Sequence, residues 1–169
     1  MKTLIIYSSY DGQTKKIAEF IAQKINAEVI ALEQSAVKNL DDFERIIIGA
    51  SIRYGHFNKA LYKFIEKQTA LLNRKTTAFF GVNLTARKAE KNTPETNVYV
   101  RKFLQRISWQ PTLSAVFAGA LRYPRYNFFD RTMIRLIMKI TGGETDPSAE
   151  IEYTDWNKVA IFAAEFADV

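Results

Sequence analysis

Leu4-Ile5-Ile6-Tyr7-Ser8-Ser9-Tyr10-Asp11-Gly12-Gln13-Thr14-Lys15-Lys16-Ile17-Ala18 is the stretch that decides the fold. Its apolar start reads as a buried strand, and its lysine-bearing amphipathic end reads as a helix. A short turn rich in hydroxyls and containing glycine joins them. That geometry aims backbone N–H groups and the positive end of a helix dipole at one point, where a phosphate monoester can sit. The turn has neither the G-x-x-x-x-G-K-[ST] of a nucleoside triphosphatase nor the G-x-G-x-x-G of a dinucleotide fold. A single phosphate held without lysine or magnesium suggests a mononucleotide such as FMN. The plainer alternative is a serine-rich turn that merely caps a helix.

Working outward, strand-like runs appear at Thr3–Tyr7, Glu28–Leu32, Arg45–Ser51, Thr76–Val82 and Leu113–Leu121. Helical periodicity appears near 13–25, 58–72, 95–107 and 155–168. The strands are almost continuously apolar, as expected of a parallel sheet covered on both faces. The alternation predicts one α/β domain over 1–169, a doubly wound sheet of five parallel strands. Residues 33–44 read as a loop with at most a brief helical turn. Thr154 and Asp155 can cap the last helix, and Pro94 sits where the first turn of the helix near 95–107 would begin.

Residues 122–150 do not fit a minimal domain of this kind and read as an insertion. Within it, 127–140 is amphipathic, with Arg131, Arg135 and Lys139 on one stripe and a wide Phe, Met, Ile and Leu face. Gly142-Gly143 ends it. Two readings stand: a helix packed on the sheet with its basic side in water, or an interfacial helix or lid at a lipid surface.

The 169 residues, 47% of them hydrophobic, suffice for a sizeable core. The absence of cysteine excludes disulfides and thiolate chemistry, and one histidine, His56, excludes a histidine-rich metal site. The N-terminal apolar run is too short for a signal-peptide core, and no stretch reaches the roughly 20 apolar residues of a membrane span. These features predict a cytosolic protein, or one peripheral on a cytosolic membrane face. Net charge is +6, yet residues 52–140 hold seventeen Lys/Arg against four Asp/Glu. A basic face of this kind suits an anionic partner: nucleic acid, anionic lipid or a polycarboxylate small molecule.

In an open α/β sheet, ligands bind beyond the C-terminal strand ends. The loops there are Gly49 to Phe57, Val82 to Lys88 and Ala118 to Tyr126, each pairing aromatic or apolar groups with arginine. Tyr54, Tyr123 or Tyr126 could stack on a planar ring, and Arg53, Arg87, Arg122 and Arg125 could receive carboxylates. His56 on its loop reads as incidental. No acidic pair follows the first strand and no aspartate ends the third, which argues against a phospho-accepting response regulator of the same topology.

These segments resemble flavodoxins. GASIRYGH at 49–56, VNLTARK at 82–88, AGALRYPRY at 118–126, GGETD at 142–146 and YTDW at 153–156 are more specifically similar to the menaquinone-dependent protoporphyrinogen IX dehydrogenase family of bacterial haem synthesis. The likeness runs over nearly the whole chain, the insertion included. It implies non-covalent FMN and a six-electron oxidation of protoporphyrinogen IX in three two-electron steps, with menaquinone or ubiquinone as acceptor. Because macrocycle and quinone tail are both lipid-loving, and Arg122, Arg125, Arg131, Arg135 and Lys139 suit an anionic membrane surface, a peripheral position on the cytoplasmic side of the inner membrane is expected.

By position, Ser9, Tyr10, Asp11, Gly12, Gln13 and Thr14 would surround the FMN phosphate. Ser51, Ile52, Arg53, Tyr54, Asn83, Leu84, Thr85 and Arg87 would border its ring. Arg122 and Arg125, with Tyr123 and Tyr126, are the expected substrate contacts, the arginines gripping propionates. Asp11 is expected to offer backbone with its carboxylate turned outward. Arg53 and Arg87 are expected to favour added negative charge on the ring and so raise its two-electron potential. No catalytic side chain is assigned. The competing readings are an NAD(P)H:quinone reductase and a non-catalytic FMN electron carrier; nucleic acid is disfavoured because no recognition motif appears.

Overall fold

The computed structural model describes residues 1–169 and contains a five-stranded parallel sheet in the order β2-β1-β3-β4-β5. The strands are β1 (Thr3–Ser8), β2 (Glu28–Ala31), β3 (Arg45–Ser51), β4 (Thr76–Asn83) and β5 (Leu113–Ala118). Around them run α1 (Gln13–Ile25), α2 (Lys59–Asn73), α3 (Val98–Arg106), α4 (Phe128–Ile140) and α5 (Trp156–Ala167).

Alternation along the strands divides the core into two layers. Ile5, Ile47, Phe80 and Val82 pack with Ile17 and Ile21 of α1 and Phe162 and Phe166 of α5. Leu4, Ile6, Ile46, Ile48 and Phe79 pack with Leu61 and Ile65 of α2 and Val100 and Phe103 of α3. Each such aliphatic side chain, taken wholly out of water, contributes about 1.5–3 kcal/mol before entropy is charged against it. The two apolar faces explain why the strand sequences look continuous rather than alternating.

Three local expectations change. Residues 32–42 form two short 3₁₀ segments, Leu32–Val37 and Leu40–Asp42, where Asn39 caps the second through Asp41 N–H. The helix expected near 95–107 starts at Val98. Asn97 caps it by accepting from Val100 N at 3.3 Å, and Pro94 lies in the turn before it. Asp155 caps α5 through Asn157 and Lys158 N–H, whereas the Thr154 hydroxyl instead donates to Ala118 O at 2.6 Å.

The fifth strand also ends earlier than its apolar run suggests. At Gly119 the chain leaves the sheet and forms β6 (Ala120–Arg122), which pairs antiparallel with β7 (Glu150–Glu152). This hairpin brackets α4, and under the helix a separate small core forms from Leu121, Tyr123, Tyr126, Ile134 and Met138. The hairpin is tied to α1. Arg122 Nη2 donates to Gln13 Oε1 at 2.9 Å, Gln13 Nε2 to Thr154 Oγ1 at 3.0 Å, and Lys16 Nζ to Glu152 Oε2 at 2.6 Å.

Candidate active site

At the C-terminal edge of the sheet lies a cavity of about 870 Å³. This volume is near the top of the roughly 300–1,000 Å³ range of small-molecule pockets. Its walls come from the turn after β1, the loops after β3, β4 and β5, the exposed side of α3, and α4. Met133, Ile134, Ile137 and Met138 of α4 face the space, so this helix folds across the site as a cover.

Ser9, Tyr10, Asp11, Gln13 and Thr14 line the cavity from the first turn; Gly12 shapes the turn without lining it. Gly12 holds φ +95°, a left-handed conformation that a side chain resists, and no side chain caps α1. The first-turn amides therefore lack intrahelical partners. Thr14 is wholly buried and its Oγ1 has no hydrogen-bond partner. An orphaned hydroxyl beside uncapped amides is the arrangement a phosphate oxygen would complete.

Ser51, Ile52, Arg53 and Tyr54 form the second wall, and Asn83, Leu84, Thr85 and Arg87 the third. Tyr54 and Gly55 both take positive φ, 53° and 79°, which makes a tight turn closed by reciprocal backbone hydrogen bonds between Arg53 and His56. For tyrosine that conformation is strained. The third wall is braced by a residue the sequence reading did not single out. Asn97, 1% exposed, donates to Asn83 Oδ1 at 3.1 Å and to Lys91 O at 2.9 Å, while Asn83 Nδ2 donates to Asn97 Oδ1 at 3.0 Å. Its N-cap position before α3 was the available signal.

The chain matches the flavodoxin domain family over residues 4–148. It is 51% identical over 172 aligned residues to protoporphyrinogen IX dehydrogenase [quinone] of Escherichia coli strain K12, spanning 99% of this chain and 95% of that protein. The protein of the same name from Leishmania major is also 51% identical, over 98% of this chain and 74% of its own length. Oxidised flavodoxin 1 from Bacillus cereus superposes with a TM-score of 0.59 at 21% identity, covering 99% of this chain and 98% of its own. The chain belongs to the quinone-dependent protoporphyrinogen IX dehydrogenase family.

In this family member the cavity's charges are arranged differently from expectation. Arg53 is not a free cation: its Nη2 donates to Asp11 and its Nη1 to Asp130 Oδ2 at 3.1 Å. Burial alone would lower its pKa, but the two carboxylates more than offset that, and the net shift is upward. Asp11 accordingly turns its carboxylate toward Arg53 rather than outward. Arg53 therefore adds no net positive charge to the site. Arg87 has only neutral acceptors, Leu84 O at 2.9 Å and Thr141 Oγ1 at 3.2 Å, and keeps its charge uncompensated.

Of the four expected substrate contacts, only Tyr126 lines the cavity. Tyr123 is fully buried beneath α4 and donates to Glu144 O at 2.5 Å. Arg122 is committed to Gln13 and lies 3.7 Å from Glu152, with its Nη1 buried and unpartnered. Arg125 pairs with Glu150 at 3.4 Å on the surface. The hairpin's departure from the sheet carries these three away from the mouth, a turn that the apolar run 113–121 conceals.

Proposed function

We infer that the protein is an FMN-dependent dehydrogenase that converts protoporphyrinogen IX to protoporphyrin IX and delivers the electrons to a respiratory quinone. The observation that carries this is 51% identity, over nearly the full length of both chains, to a quinone-linked enzyme of that activity. A covered cavity with an uncapped, orphan-bearing phosphate turn supports it. The macrocycle loses six hydrogens, and three quinones become three quinols.

FMN, when bound, supplies the two-electron acceptor. The proposed phosphate contacts are Ser9, Tyr10, Asp11, Gly12, Gln13 and Thr14, chiefly through backbone N–H groups and hydroxyls. Ser51, Ile52, Arg53, Tyr54, Asn83, Leu84, Thr85 and Arg87 are proposed to border the ring. The apolar side of α4 keeps water from the reacting macrocycle, and Asn97 holds the wall that carries Asn83 and Thr85. The pyrrole N–H protons can leave to solvent, so no enzyme base is assigned.

We further propose that α4 rests on an anionic membrane surface, at the cytoplasmic side of the inner membrane. No helix is long and apolar enough to cross a membrane. On the outer side of α4, however, Phe128 and Ile140 are each 77% exposed, Phe129 and Leu136 are also exposed, and Arg135 and Lys139 lie alongside. An apolar arc beside a cationic stripe is the signature of an interfacial helix.

An anaerobic assay of the purified protein with FMN, protoporphyrinogen IX and a quinone, read by porphyrin fluorescence, tests the activity. Fluorescence is expected to require all three additions. Failure with both menaquinone and ubiquinone analogues overturns the inference.

A further inference from the structure

Four cationic residues line the cavity: Arg53, Arg87, Lys102 and Arg106. The first is paired with two carboxylates and the second is bonded to main-chain and hydroxyl oxygens. The side chains of Lys102 and Arg106 make no ion pair and no hydrogen bond within the chain. They stand one turn apart on α3, on the same helix face as Tyr99, and all three reach the cavity. The Arg106 guanidinium lies over the Tyr62 ring, 3.8 Å from its centroid, a contact that does not neutralise it. Tyr99 abuts the Arg53–His56 turn: a Cβ on Gly55 would lie 3.3 Å from its ring. The α3 edge is thus adjacent to the strained turn.

We propose that Lys102 and Arg106 form the dicarboxylate-anchoring subsite of this cavity and receive the two propionates of the porphyrinogen. This rests on the reading of the protein as a porphyrinogen dehydrogenase. The two propionates leave one edge of the macrocycle from neighbouring pyrroles, and a pair of cations one helical turn apart matches two neighbouring anions. The opposite, vinyl-bearing edge is apolar and suits the Met and Ile side chains of α4. Orientation follows: acids toward α3, apolar edge beneath the cover. This replaces the role expected of Arg122 and Arg125, whose charges are already met elsewhere.

The test uses FMN-loaded full-length protein, titrated with protoporphyrin IX and with its dimethyl ester and read by the Soret band. Porphyrinogen turnover is measured in parallel. Wild type is expected to prefer the diacid by about 10- to 100-fold, the scale of charge-assisted hydrogen bonds. The Lys102→Ala/Arg106→Ala variant is expected to lose that preference while binding the ester and FMN as wild type does. Lys102→Glu is expected to favour the ester. Arg101→Ala, on a residue outside the cavity that bonds Glu95 O at 3.1 Å, should retain the wild-type preference. A double variant that keeps the wild-type preference overturns the subsite, as does a wild type that oxidises porphyrinogen yet binds acid and ester alike; both leave the proposed activity standing. A wild type with no porphyrinogen turnover overturns both.

Discussion

Asp130, in the first turn of α4, accepts a hydrogen bond at 3.1 Å from Arg53 in the loop after β3, joining the cover to the sheet edge across 77 positions of chain. The same carboxylate accepts from the Tyr54 hydroxyl, so one acidic side chain fastens α4 to a strained turn. Asp130→Ala removes both contacts. Because these groups are partly exposed, the expected loss is about 1–2 kcal/mol, or a fall in Tm of a few degrees for a domain of this size. Limited proteolysis should show earlier cleavage within 127–149. A variant with unchanged Tm and cleavage would show that α4 is held by its apolar contacts alone.

Burial, followed by the hydrogen bond to Asp130, pushes the Tyr54 pKa up to about 12. A folded-state value above the ordinary one near 10 contributes stability that is present below pH 10 and lost as pH rises through 12. Tyrosinate absorbance of wild type should therefore show this residue ionising late. In Asp130→Ala its ionisation should move back toward the ordinary value.

The buried Thr14 hydroxyl has no partner in the chain, an arrangement that costs about 1–3 kcal/mol. Thr14→Val is nearly isosteric and removes that polar atom. The apoprotein is expected to be as stable as wild type or more so, while FMN binding weakens about tenfold or more. Flavin fluorescence quenching and apoprotein thermal unfolding measure the two effects. A variant that loses stability and keeps FMN affinity would remove this hydroxyl from the phosphate site.

Glu152 receives Lys16, and that hydrogen bond is the largest influence holding its carboxyl below its ordinary value of 4.5. Its contribution is present above that value and disappears as pH falls through the folded-state pKa. Glu152→Gln should lower stability at neutral pH and converge with wild type in acid. Curves that stay parallel through the acid limb would assign the anchoring to neighbouring contacts.

The outer face of α4 offers a separate test. Replacing Phe129, Leu136 and Ile140 with serine should reduce co-sedimentation with anionic vesicles and leave FMN binding intact. Replacing Arg135 and Lys139 with glutamine should weaken the same association most at low salt. Equal sedimentation of wild type with anionic and neutral vesicles would contradict the electrostatic part.

The regular core was legible because each strand and helix there answers to its own residues. Ile46 to Ala50 carries no polar side chain and forms the middle of the strand Arg45–Ser51, and Gly12 before Gln13 marks the start of α1. The first turn and the loops after β3 and β4 did come together around one cavity. What stayed hidden was non-local. Nothing in the run Leu113–Leu121 announces that Gly119 leaves the sheet. Nor can a string of letters disclose that Arg53 and Arg122 have acidic or amide partners more than 40 positions away, while Lys102 and Arg106 have none. Charge could be counted from the sequence, but its availability depends on who stands beside it.

The braces between the hairpin and α1 have a consequence for biosynthesis. Gln13 meets Arg122 and Thr154 across 109 and 141 positions, and Lys16 meets Glu152 across 136. Closing loops of that length is the slow part of assembly. While the ribosome still holds the C-terminal third, the nascent chain has its first strand and helix but none of these supports. The coenzyme cradle is thus the first element to emerge and among the last to be locked.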